Sequence, residues 1–393
     1  MIFERNGAPA SAGRRRYTFP WRQGNSFELL VDAHNYFPRM LSAVARARRY
    51  VLLEMYLFDS GTMATRFIDA LREAGGRGVQ VYALLDDFGA RGLQSVDRQR
   101  LAAIGAQISF YNPLHYGKWH RNLHRDHRKL LVVDDQIAFC GGAGISDSFL
   151  SRGEGGNEWR DVMVQIQGPC VLDWYVLFDE TWQREHGRGI EPEPMSAAAP
   201  APANQWGRVA QMTGRERREI IRSAIKRIRA AEQRVWFATA YFVPSLKLRR
   251  ALCQAGRRGV DVRLLVPSAV TDHPGVHQAG RHFYSRLLRN NVAIYEYQGR
   301  FAHAKVVLCD SWVSVGSSNL DRWNIRWNLE ANQEVNDSGF AAQAADFFIQ
   351  DFHASQRFDY QWWKQRPWHW RWREWFWSQV GRWLLQLGPQ RRR

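Results

Sequence analysis

The sequence predicts an α/β protein that consists of two similar lobes. Three features support this fold class: an internal repeat, an alternation of helical and strand patterns in each half, and a segment rich in proline and alanine between the halves. At 393 residues the chain is long enough for two domains that each bury a core.

The internal repeat joins corresponding parts of the two halves. ARARRYVLLEMYLF at 45–58 parallels IRAAEQRVWFATAYFV at 228–243, and AGGRGVQVYALLDD at 74–87 parallels AGRRGVDVRLLVPS at 255–268, which begins 181 residues later. In each half the apolar periodicity predicts helix, strand, helix and strand, followed by one further strand. This order indicates layered α/β packing in both halves.

Composition sets the predicted domain boundaries. The segment EPEPMSAAAPAPAN at 191–204 is typical of a linker, and the end of the chain is basic and rich in tryptophan. We therefore predict an N-terminal arm at 1–23, a first lobe at 24–190, a linker at 191–207, a second lobe at 208–356 and a tail at 357–393.

Each half contains the same motif, His-x-Lys-x4-Asp, in the strand that follows the repeat. The first copy is His127, Lys129 and Asp134, and the second is His303, Lys305 and Asp310, 176 residues later. Both strands run into turns of small residues, Gly141 and Gly142 in the first half and Gly316, Ser317 and Ser318 in the second. The chain has only six lysines among 55 basic residues, and two of them fall in this frame, so a compact ammonium is required there.

Strand geometry explains the spacing within the motif. Side chains two residues apart project from the same face of a strand, so each histidine shares a face with its lysine. Two imidazoles and two ammoniums on facing strands suit a phosphate: one histidine attacks phosphorus, the other protonates the leaving oxygen, and the lysines neutralise the phosphoryl oxygens. We expect the turns, through Gly142 and Ser317, to contact the phosphate as well.

The duplicated motif resembles the signature of the phospholipase D superfamily, and other segments resemble bacterial cardiolipin synthases. These segments are NEWRDVMVQIQGPCV at 157–171, TDHPGVHQAGRHFYSRLL at 271–288, IYEYQGRFAHAK at 294–305 and GSSNLDRWNIRWNLEANQEV at 316–335. The resemblance covers roughly 24 to 350. It implies a duplicated phospholipase D-like domain, with the two lobes related by a pseudo-twofold axis around one shared active site and no cofactor.

The resemblance also implies roles for residues near the motifs. Asp161 and Glu330 are expected to orient the histidines, each within its own half, and Asn319 to contact the phosphate through its amide. The equivalent position of the first half holds Gly144, so a symmetric pair of amides is not expected. Asp134 and Asp310 belong to the catalytic motif but are best interpreted as structural anchors at strand ends.

A metal site is the alternative interpretation of the histidines. His120, His124 and His127 form a cluster that could hold a divalent ion. The second half has no such cluster, lysine is not a ligand for divalent metals, and the related family works without metal, so we expect none.

The remaining composition bears on location. Four cysteines lie singly in or beside apolar stretches, as expected of reduced core residues. We find neither an apolar leader nor a run of 18 apolar residues, so we expect no signal peptide and no transmembrane helix. In this respect the chain resembles the cardiolipin synthases that lack N-terminal membrane spans.

The tail is predicted to bind a membrane. The chain has a formal net charge of +17, of which 357–393 supplies +7, and this segment contains eight of the 18 tryptophans. Trp372, Trp375, Phe376 and Trp383 fall at helical spacing, which predicts an interfacial helix on the cytoplasmic face of an anionic bacterial membrane. A helix packed on the core and a site for single-stranded nucleic acid are the alternatives.

Two functions fit the sequence. The first is a cardiolipin synthase, a transferase of substituted phosphate groups: one histidine, taken as His127, attacks phosphatidylglycerol, glycerol leaves, and a second lipid hydroxyl then accepts the phosphatidyl group. The second is hydrolysis of phospholipid or nucleic acid, with water as the acceptor. The resemblance and the tail favour lipid transfer, so we expect anionic phospholipid as partner and no nucleic acid; the sequence leaves the oligomeric state open.

Overall fold

The computed structural model describes residues 17–150, 158–191, 194, 201, 203–214, 216–321 and 323–384, and the side chains of these residues up to 380. Most of the predicted arm therefore lies outside the described residues, as does most of the Pro/Ala-rich segment. The fold is a mixed α/β structure with two similar lobes, which confirms the fold class.

The first lobe contains a sheet and the helices that cover it. Its strands are β1 (Arg22–Val31), β2 (Tyr50–Met55), β3 (Gln80–Asp86), β4 (Gln107–Tyr111), β5 (Arg125–Asp126), β6 (Lys129–Val133), β7 (Ile137–Gly141) and β8 (Val162–Gln167). Its helices are α1 (Ala33–Arg46), α2 (Thr62–Gly76), α3 (Ser95–Ala103) and α4 (Cys170–His186). Short 3₁₀ segments lie at Tyr116–Leu123 and Asp147–Phe149.

The second lobe repeats this arrangement. Its strands are β9 (Gln205–Thr213), β10 (Arg217–Arg218), β11 (Arg234–Ala238), β12 (Asp261–Pro267), β13 (Val292–Tyr297), β14 (Val306–Cys309), β15 (Trp312–Gly316), β16 (Asn328–Asn336) and β17 (Ser355–Phe358). Its helices are α5 (Glu219–Ala230), α6 (Leu246–Arg257), α7 (Pro274–Arg281), α8 (Tyr284–Leu288), α9 (Asn324–Trp327), α10 (Ser338–His353), α11 (Tyr360–Lys364) and α12 (Trp368–Leu384).

The two sheets have matching strand orders. The first runs β4–β3–β2–β6–β7–β8–β1, and the second runs β13–β12–β11–β14–β15–β16–β9, with β17 added beside β13. In each sheet the three strands at the β4 or β13 end are parallel, and the strand that follows the histidine pairs antiparallel with the innermost of them. Strands β1 and β9 also pair with each other, so the two sheets join at this edge.

Apolar side chains form one core in each lobe and a third between the lobes. Helices α1 and α2 cover the outer face of the first sheet, and α5, α6 and α8 cover that of the second. Helices α4 and α10 lie between the sheets and bury Trp174, Phe178, Phe340 and Phe348. Because this shared core fixes one sheet against the other, residues of both lobes can contribute to a single site.

Three predicted boundaries are wrong by a few residues. Strand β1 begins at Arg22, inside the predicted arm, because it pairs with β8 and β9. Strand β9 begins at Gln205, inside the predicted linker, because it pairs with β16 along its length. Strand β17 reaches Phe358, inside the predicted tail, because it pairs with β13. Composition marks polar segments well, but edge-strand pairing depends on partners that are distant in sequence.

The tail forms two helices rather than the single interfacial helix that the sequence predicts. Pro367 separates α11 from α12, because proline lacks the amide hydrogen that an uninterrupted helix needs and is tolerated only near a helix start. Trp363 of α11 is buried against Tyr284 and Phe358. Residues 385–393 lie outside the described part of the chain.

Helix α12 packs on α7 with one face and exposes the other. Its Glu374 carboxylate is buried and pairs with Arg366 and Arg281. The Trp377 ring lies against Gly275, where a Cβ would approach it to 2.9 Å. Trp372, Trp375 and Phe376 are exposed, together with Trp368. The alternative of a helix packed on the core is therefore correct for one face of α12. The face with the predicted aromatic residues is open to solvent. The Trp383 side chain lies outside the described residues.

Candidate active site

The two motifs lie at the start of corresponding strands. Strand β6 begins at Lys129, two residues after His127, and β14 begins at Val306, three residues after His303. The ammonium of Lys129 donates a hydrogen bond to the carbonyl of His127 at 2.6 Å, and Lys305 donates to the carbonyl of His303. All four side chains are buried. The alternation of strand side chains thus places each ammonium beside its imidazole.

The two motifs form one site across the lobe boundary. Lys305 lowers the pKa of Lys129, and each lysine lowers the pKa of the histidine of the other lobe. Such mutual effects require charges that are close and poorly screened. The structure therefore places both halves of the duplicated motif around one cleft.

Each histidine is held by a carboxylate of the opposite lobe. Nδ1 of His127 lies 3.1 Å from the Glu330 carboxylate, and Nδ1 of His303 lies 2.6 Å from Oδ2 of Asp161. Because an ionised carboxylate only accepts, each Nδ1 donates and the Nε2 atoms are left for chemistry. The expectation that each carboxylate orients the histidine of its own half was wrong.

Backbone pairing at the lobe boundary explains the crossed arrangement. The amide of His127 donates to the carbonyl of Leu329 at 3.0 Å, the residue before Glu330. The amide of His303 donates to the carbonyl of Arg160 at 2.8 Å, the residue before Asp161. The β5 strand also pairs in parallel with the start of β16. Each histidine segment is thus bound to the carboxylate-bearing strand of the other lobe.

Ser317 supports Glu330, and the expectation that it contacts phosphate was wrong for its hydroxyl. Its Oγ donates to the Glu330 carboxylate and also accepts from the amide of Ala331 at 3.1 Å. Asn328 donates a further hydrogen bond to Glu330 at 3.2 Å. These contacts fix the carboxylate that orients His127.

Gly142 makes room for Asp161, and its amide is not available to a phosphate. The amide donates to the carbonyl of Val162 at 3.1 Å, as part of the β7–β8 pairing. A Cβ at this position would lie 2.3 Å from Oδ1 of Asp161. The small residue predicted as an anion contact is therefore needed because the buried carboxylate passes so close to the backbone.

Asn319 has the free donor that a phosphate contact needs. Its side chain is buried, its Oδ1 accepts from Thr239 Oγ1 at 3.3 Å, and its Nδ2 has no hydrogen-bond partner among the residues that the structure describes. A buried unpaired amide nitrogen is costly unless a ligand satisfies it. Gly144 of the first lobe offers no such group, and a Cβ there would lie 2.5 Å from the carbonyl of Leu57.

Asp134 and Asp310 act on the backbone rather than on the histidines. Asp134 accepts hydrogen bonds from the amides of Arg48, Arg49 and Tyr50, at 2.9–3.1 Å. Asp310 accepts the corresponding bonds from residues 232–234, at 3.0 Å each. Both aspartates have positive φ, near 50°, in the turn after the motif strand. Their place in the catalytic motif therefore reflects a structural role, which ties the motif strand to its neighbour.

Burial shifts the pKa values of the central groups toward neutrality. Removal from water, together with the charge of Lys305, lowers the pKa of Lys129 from 10.5 to about 7, and removal from water lowers the pKa of Lys305 from 10.5 to about 8. Burial and the nearby lysine lower the pKa of His303 to about 4, and burial also lowers that of His127. For Asp161 burial would raise the pKa, but Lys305 and His303 outweigh it and the pKa is lowered. An anionic substrate would favour the protonated lysines again.

The surroundings of the two histidines differ. The His303 ring lies among Trp159, Phe301 and Phe149, with ring centroids 4.9, 5.4 and 6.2 Å away. The His127 ring lies 4.6 Å from that of Tyr56. The sequence analysis did not identify the three aromatic residues around His303. Two of them carried a signal: Trp159 lies in the segment 157–171 that resembles cardiolipin synthases, and Phe301 lies two residues before His303.

A hydroxyl and a carboxylate also lie near the second motif. Tyr241 donates a hydrogen bond to Oδ2 of Asp272 at 2.6 Å, and Asp272 is close enough to raise the pKa of Lys305. Asp86, at the carboxyl end of β3, accepts hydrogen bonds from the amides of Gly89 and Asp126, at 2.9 and 2.8 Å. These bonds hold the backbone that follows the strand, so Asp86 has a structural role.

The histidine cluster of the first lobe does not converge. The ring centroid of His124 lies 5.2 Å from that of Trp327, and the ring centroid of His120 lies 6.5 Å from the same tryptophan. His127 points elsewhere, to Glu330. Within the described residues, no group of three or more His, Cys, Asp or Glu side chains is placed to hold a metal ion. That the reaction needs no metal stays a prediction.

Comparison with known proteins identifies the family. The model of the cardiolipin synthase, PLD-like domain matches residues 40–182 and 224–352. Cardiolipin synthase B of Salmonella typhimurium is 33% identical over 333 residues, which is 81% of this chain and 78% of that protein. The major cardiolipin synthase ClsA of Bacillus subtilis is 29% identical over 350 residues, 88% of this chain and 72% of that protein.

Solved structures share the fold at lower sequence identity. Phosphatidylserine synthase of Haemophilus influenzae superposes with a TM-score of 0.68 at 14% identity, covering 92% of this chain and 94% of that one. Polyphosphate kinase of Porphyromonas gingivalis superposes with a TM-score of 0.58 at 16% identity, covering 86% of this chain and 49% of that one. The duplicated motif, the two-lobed fold and these matches show that the chain belongs to the cardiolipin synthase family of phospholipase D-like proteins.

Proposed function

We propose that this protein is a cardiolipin synthase that transfers a phosphatidyl group from phosphatidylglycerol to a hydroxyl of a second phospholipid and releases glycerol. The observation that carries the proposal is the crossed pair of buried histidines, each held at Nδ1 by a carboxylate of the other lobe and flanked by an ammonium. The relatives named as cardiolipin synthases support the choice of lipid as substrate.

In the first step Nε2 of His127 attacks the phosphorus of phosphatidylglycerol. The bond from phosphorus to the glycerol oxygen breaks, and His303 transfers a proton from its Nε2 to that oxygen. Glycerol leaves, and a phosphatidyl group remains on His127. The carboxylate of Glu330 stabilises the positive charge that the attacking imidazole gains.

In the second step the same groups act in reverse. Nε2 of His303, now neutral, accepts the proton of a hydroxyl on the second lipid. That oxygen attacks phosphorus, the bond to His127 breaks, and cardiolipin forms when the second lipid is phosphatidylglycerol. The overall change converts two phosphatidylglycerol molecules into one cardiolipin and one glycerol, so no net proton is gained or lost.

Charge balance favours one protonated histidine in the substrate complex. Two ammoniums and two carboxylates cancel when both imidazoles are neutral. One added proton on an imidazole then matches the single negative charge of a phosphodiester. Lys129, Lys305 and the free amide of Asn319 would contact the phosphoryl oxygens, where negative charge develops during transfer.

The tail supplies the expected contact with the membrane. Trp372, Trp375 and Phe376 form an exposed face on α12, and the helix itself is anchored to α7 through Glu374. No helix in the described part of the chain is long and apolar enough to cross a bilayer. We place the protein at the cytoplasmic surface of an anionic membrane, where its net charge of +17 is attracted and its four buried, free cysteines stay reduced.

The test is the lipid product profile with labelled phosphatidylglycerol, in vesicles and in detergent. Transfer predicts labelled cardiolipin and free glycerol in a ratio of one to one. Phosphatidic acid as the main product in both media would favour the hydrolase alternative and contradict the proposal. His127→Ala and His303→Ala should each abolish product, with Trp206→Ala as a surface control.

The membrane contact has its own test. Replacing Trp372, Trp375 and Phe376 with Ala should release the protein from phosphatidylglycerol vesicles and leave turnover of a short-chain, soluble phosphatidylglycerol unchanged. Loss of thermal stability and of soluble turnover together would show instead that this face serves core packing.

A further inference from the structure

A second exposed aromatic surface lies beside the catalytic cleft, in the segment that joins β4 to β5. We call residues 112–124 the mouth loop. Tyr116 is fully exposed, and the Trp119 side chain is 83% exposed. Neither residue has a role in the chemistry described above, and two large aromatic side chains exposed within one short loop mark a candidate interaction surface.

The mouth loop is held in shape by its own hydrogen bonds. Asn112 Nδ2 donates to the carbonyls of Arg121 and His124, each at 2.8 Å. The ammonium of Lys118 donates to Asn112 Oδ1 at 3.1 Å and to the carbonyl of Pro113 at 2.9 Å. The loop is therefore preorganised, and it presents its aromatic side chains from a defined backbone.

The backbone of Trp119 is strained. Its φ is 45° and its ψ is −122°, a region that bulky residues rarely adopt. Such a conformation costs free energy and persists at places where function requires it. Here it directs a large apolar ring into solvent, so packing within the protein does not repay the cost. Contact between the Trp119 ring and a partner outside the protein would offset this cost.

The mouth loop lies at the catalytic end of the first sheet. It leaves the carboxyl end of β4, and the Arg125 guanidinium that closes it donates to the carbonyl of Asn112 at 2.7 Å. His127 follows two residues later, and His124 at the base of the loop packs on Trp327 of the second lobe. Helix α12 lies at the corresponding end of the second lobe, because α7 follows the carboxyl end of β12. The two aromatic surfaces thus lie at corresponding ends of the two sheets, the ends at which the motif histidines lie.

The charge of the mouth loop identifies the partner. Residues 112–124 contain Lys118 and Arg121, three histidines and no acidic residue. Tryptophan and tyrosine prefer the bilayer interface, and basic side chains are attracted to anionic headgroups. The composition of the loop therefore fits an anionic lipid surface.

We infer that the mouth loop is a second membrane-contacting element, which inserts Tyr116 and Trp119 into the interface of an anionic bilayer. Together with α12 it would seat the mouth of the cleft on the lipid surface, so that a phosphatidylglycerol headgroup reaches His127 and His303 without leaving the membrane. This inference rests on the proposed function, because it assumes that the substrate is a membrane lipid.

The test uses the double variant Tyr116→Ala/Trp119→Asn in the full-length protein. Asparagine tolerates positive φ, so the backbone of the loop is retained. Binding to vesicles of phosphatidylglycerol and phosphatidylcholine should weaken by roughly tenfold or more, because two aromatic side chains lose their apolar contact. Trp206→Ala is the matched control: Trp206 is exposed but pairs with Asn336, six residues along β16 from Glu330, and should bind as the parent does.

Soluble substrate separates this inference from the proposed function. The double variant should turn over short-chain phosphatidylglycerol at the parental rate while losing activity on vesicles. Unchanged vesicle binding with retained turnover would overturn the inference alone, whereas a parent protein that makes no cardiolipin from either substrate would overturn the proposed function. If the double variant instead loses only binding to single-stranded DNA, the loop recognises nucleic acid and the inference is wrong.

A fluorophore placed in the loop gives a direct readout. An environment-sensitive dye on Trp119→Cys should shift to the blue when anionic vesicles are added, and the shift should shrink with salt. The same dye on Ala103→Cys, an exposed position at the opposite end of the sheet, should not shift. Equal responses at both positions would contradict insertion of the mouth loop.

Discussion

Exchanging Asp161 for asparagine tests the crossed pairing of carboxylates and histidines. The substitution keeps the shape of the side chain but removes the charge that faces Nδ1 of His303 at 2.6 Å. A hydrogen bond to a charged group contributes about 1.5–3 kcal/mol, which corresponds to roughly a 10- to 150-fold loss of kcat. Asparagine can also present its amide to Nδ1 and select the wrong tautomer, so a larger loss is compatible.

The sign of the pKa change locates the effect. Asp161 raises the pKa of His303, which burial otherwise lowers, so Asp161→Asn should lower the pKa of His303 further. The pKa of His127, which Glu330 raises, should stay where it is. Glu330→Gln should give the opposite pattern and is the matched control, since it removes the equivalent charge from the other pair.

Nuclear magnetic resonance of histidine-labelled protein can follow both rings during a pH titration. His127→Asn and His303→Asn samples would supply the assignments. A change at His127 in the Asp161→Asn variant, with His303 unaffected, would show that each carboxylate serves its own lobe and would refute the crossed arrangement.

Three further predictions follow from the same site. Lys305→Arg should lower kcat roughly a hundredfold, because the planar guanidinium cannot occupy the buried position where the ammonium meets the carbonyl of His303; near-parental turnover would show that charge alone suffices. For short-chain substrate, kcat/KM should fall as pH rises through about 7 to 8, because Lys129 and then Lys305 lose their protons in the free enzyme; a profile that is flat to pH 9 would contradict this. Turnover should survive exhaustive chelation, and activity that EDTA abolishes and magnesium or zinc restores would require a metal after all.

The sequence predicted the architecture because its signals are local and repeated. Apolar periodicity, the internal repeat and the duplicated motif each depend on neighbouring residues, so two α/β lobes with a histidine and a lysine at the start of corresponding strands could be inferred. The family resemblance also gave Asp161 and Glu330 as partners of the histidines, but the lobe that each one serves depends on strand pairing across the boundary, which no local pattern encodes.

The roles of small residues were harder to predict. Ser317 and Gly142 lie in turns that could bind an anion, yet Ser317 donates to Glu330 and Gly142 leaves space for Asp161. A turn sequence does not reveal whether its amides are already paired in a sheet. The tail was predicted as an amphipathic helix, but the partner of its buried face, α7, lies almost a hundred residues earlier in the chain.

The central claim is that one histidine carries the phosphatidyl group while the histidine of the other lobe transfers protons. Rapid acid quench of the enzyme with phosphatidylglycerol labelled at phosphorus, followed by peptide mapping, measures this directly. We expect label on the peptide that contains His127, with the amount trapped reduced but its position unchanged in the Asp161→Asn variant. Label on the His303 peptide would reverse the two roles, and a His303→Ala variant that still makes cardiolipin at the parental rate would contradict the two-histidine mechanism.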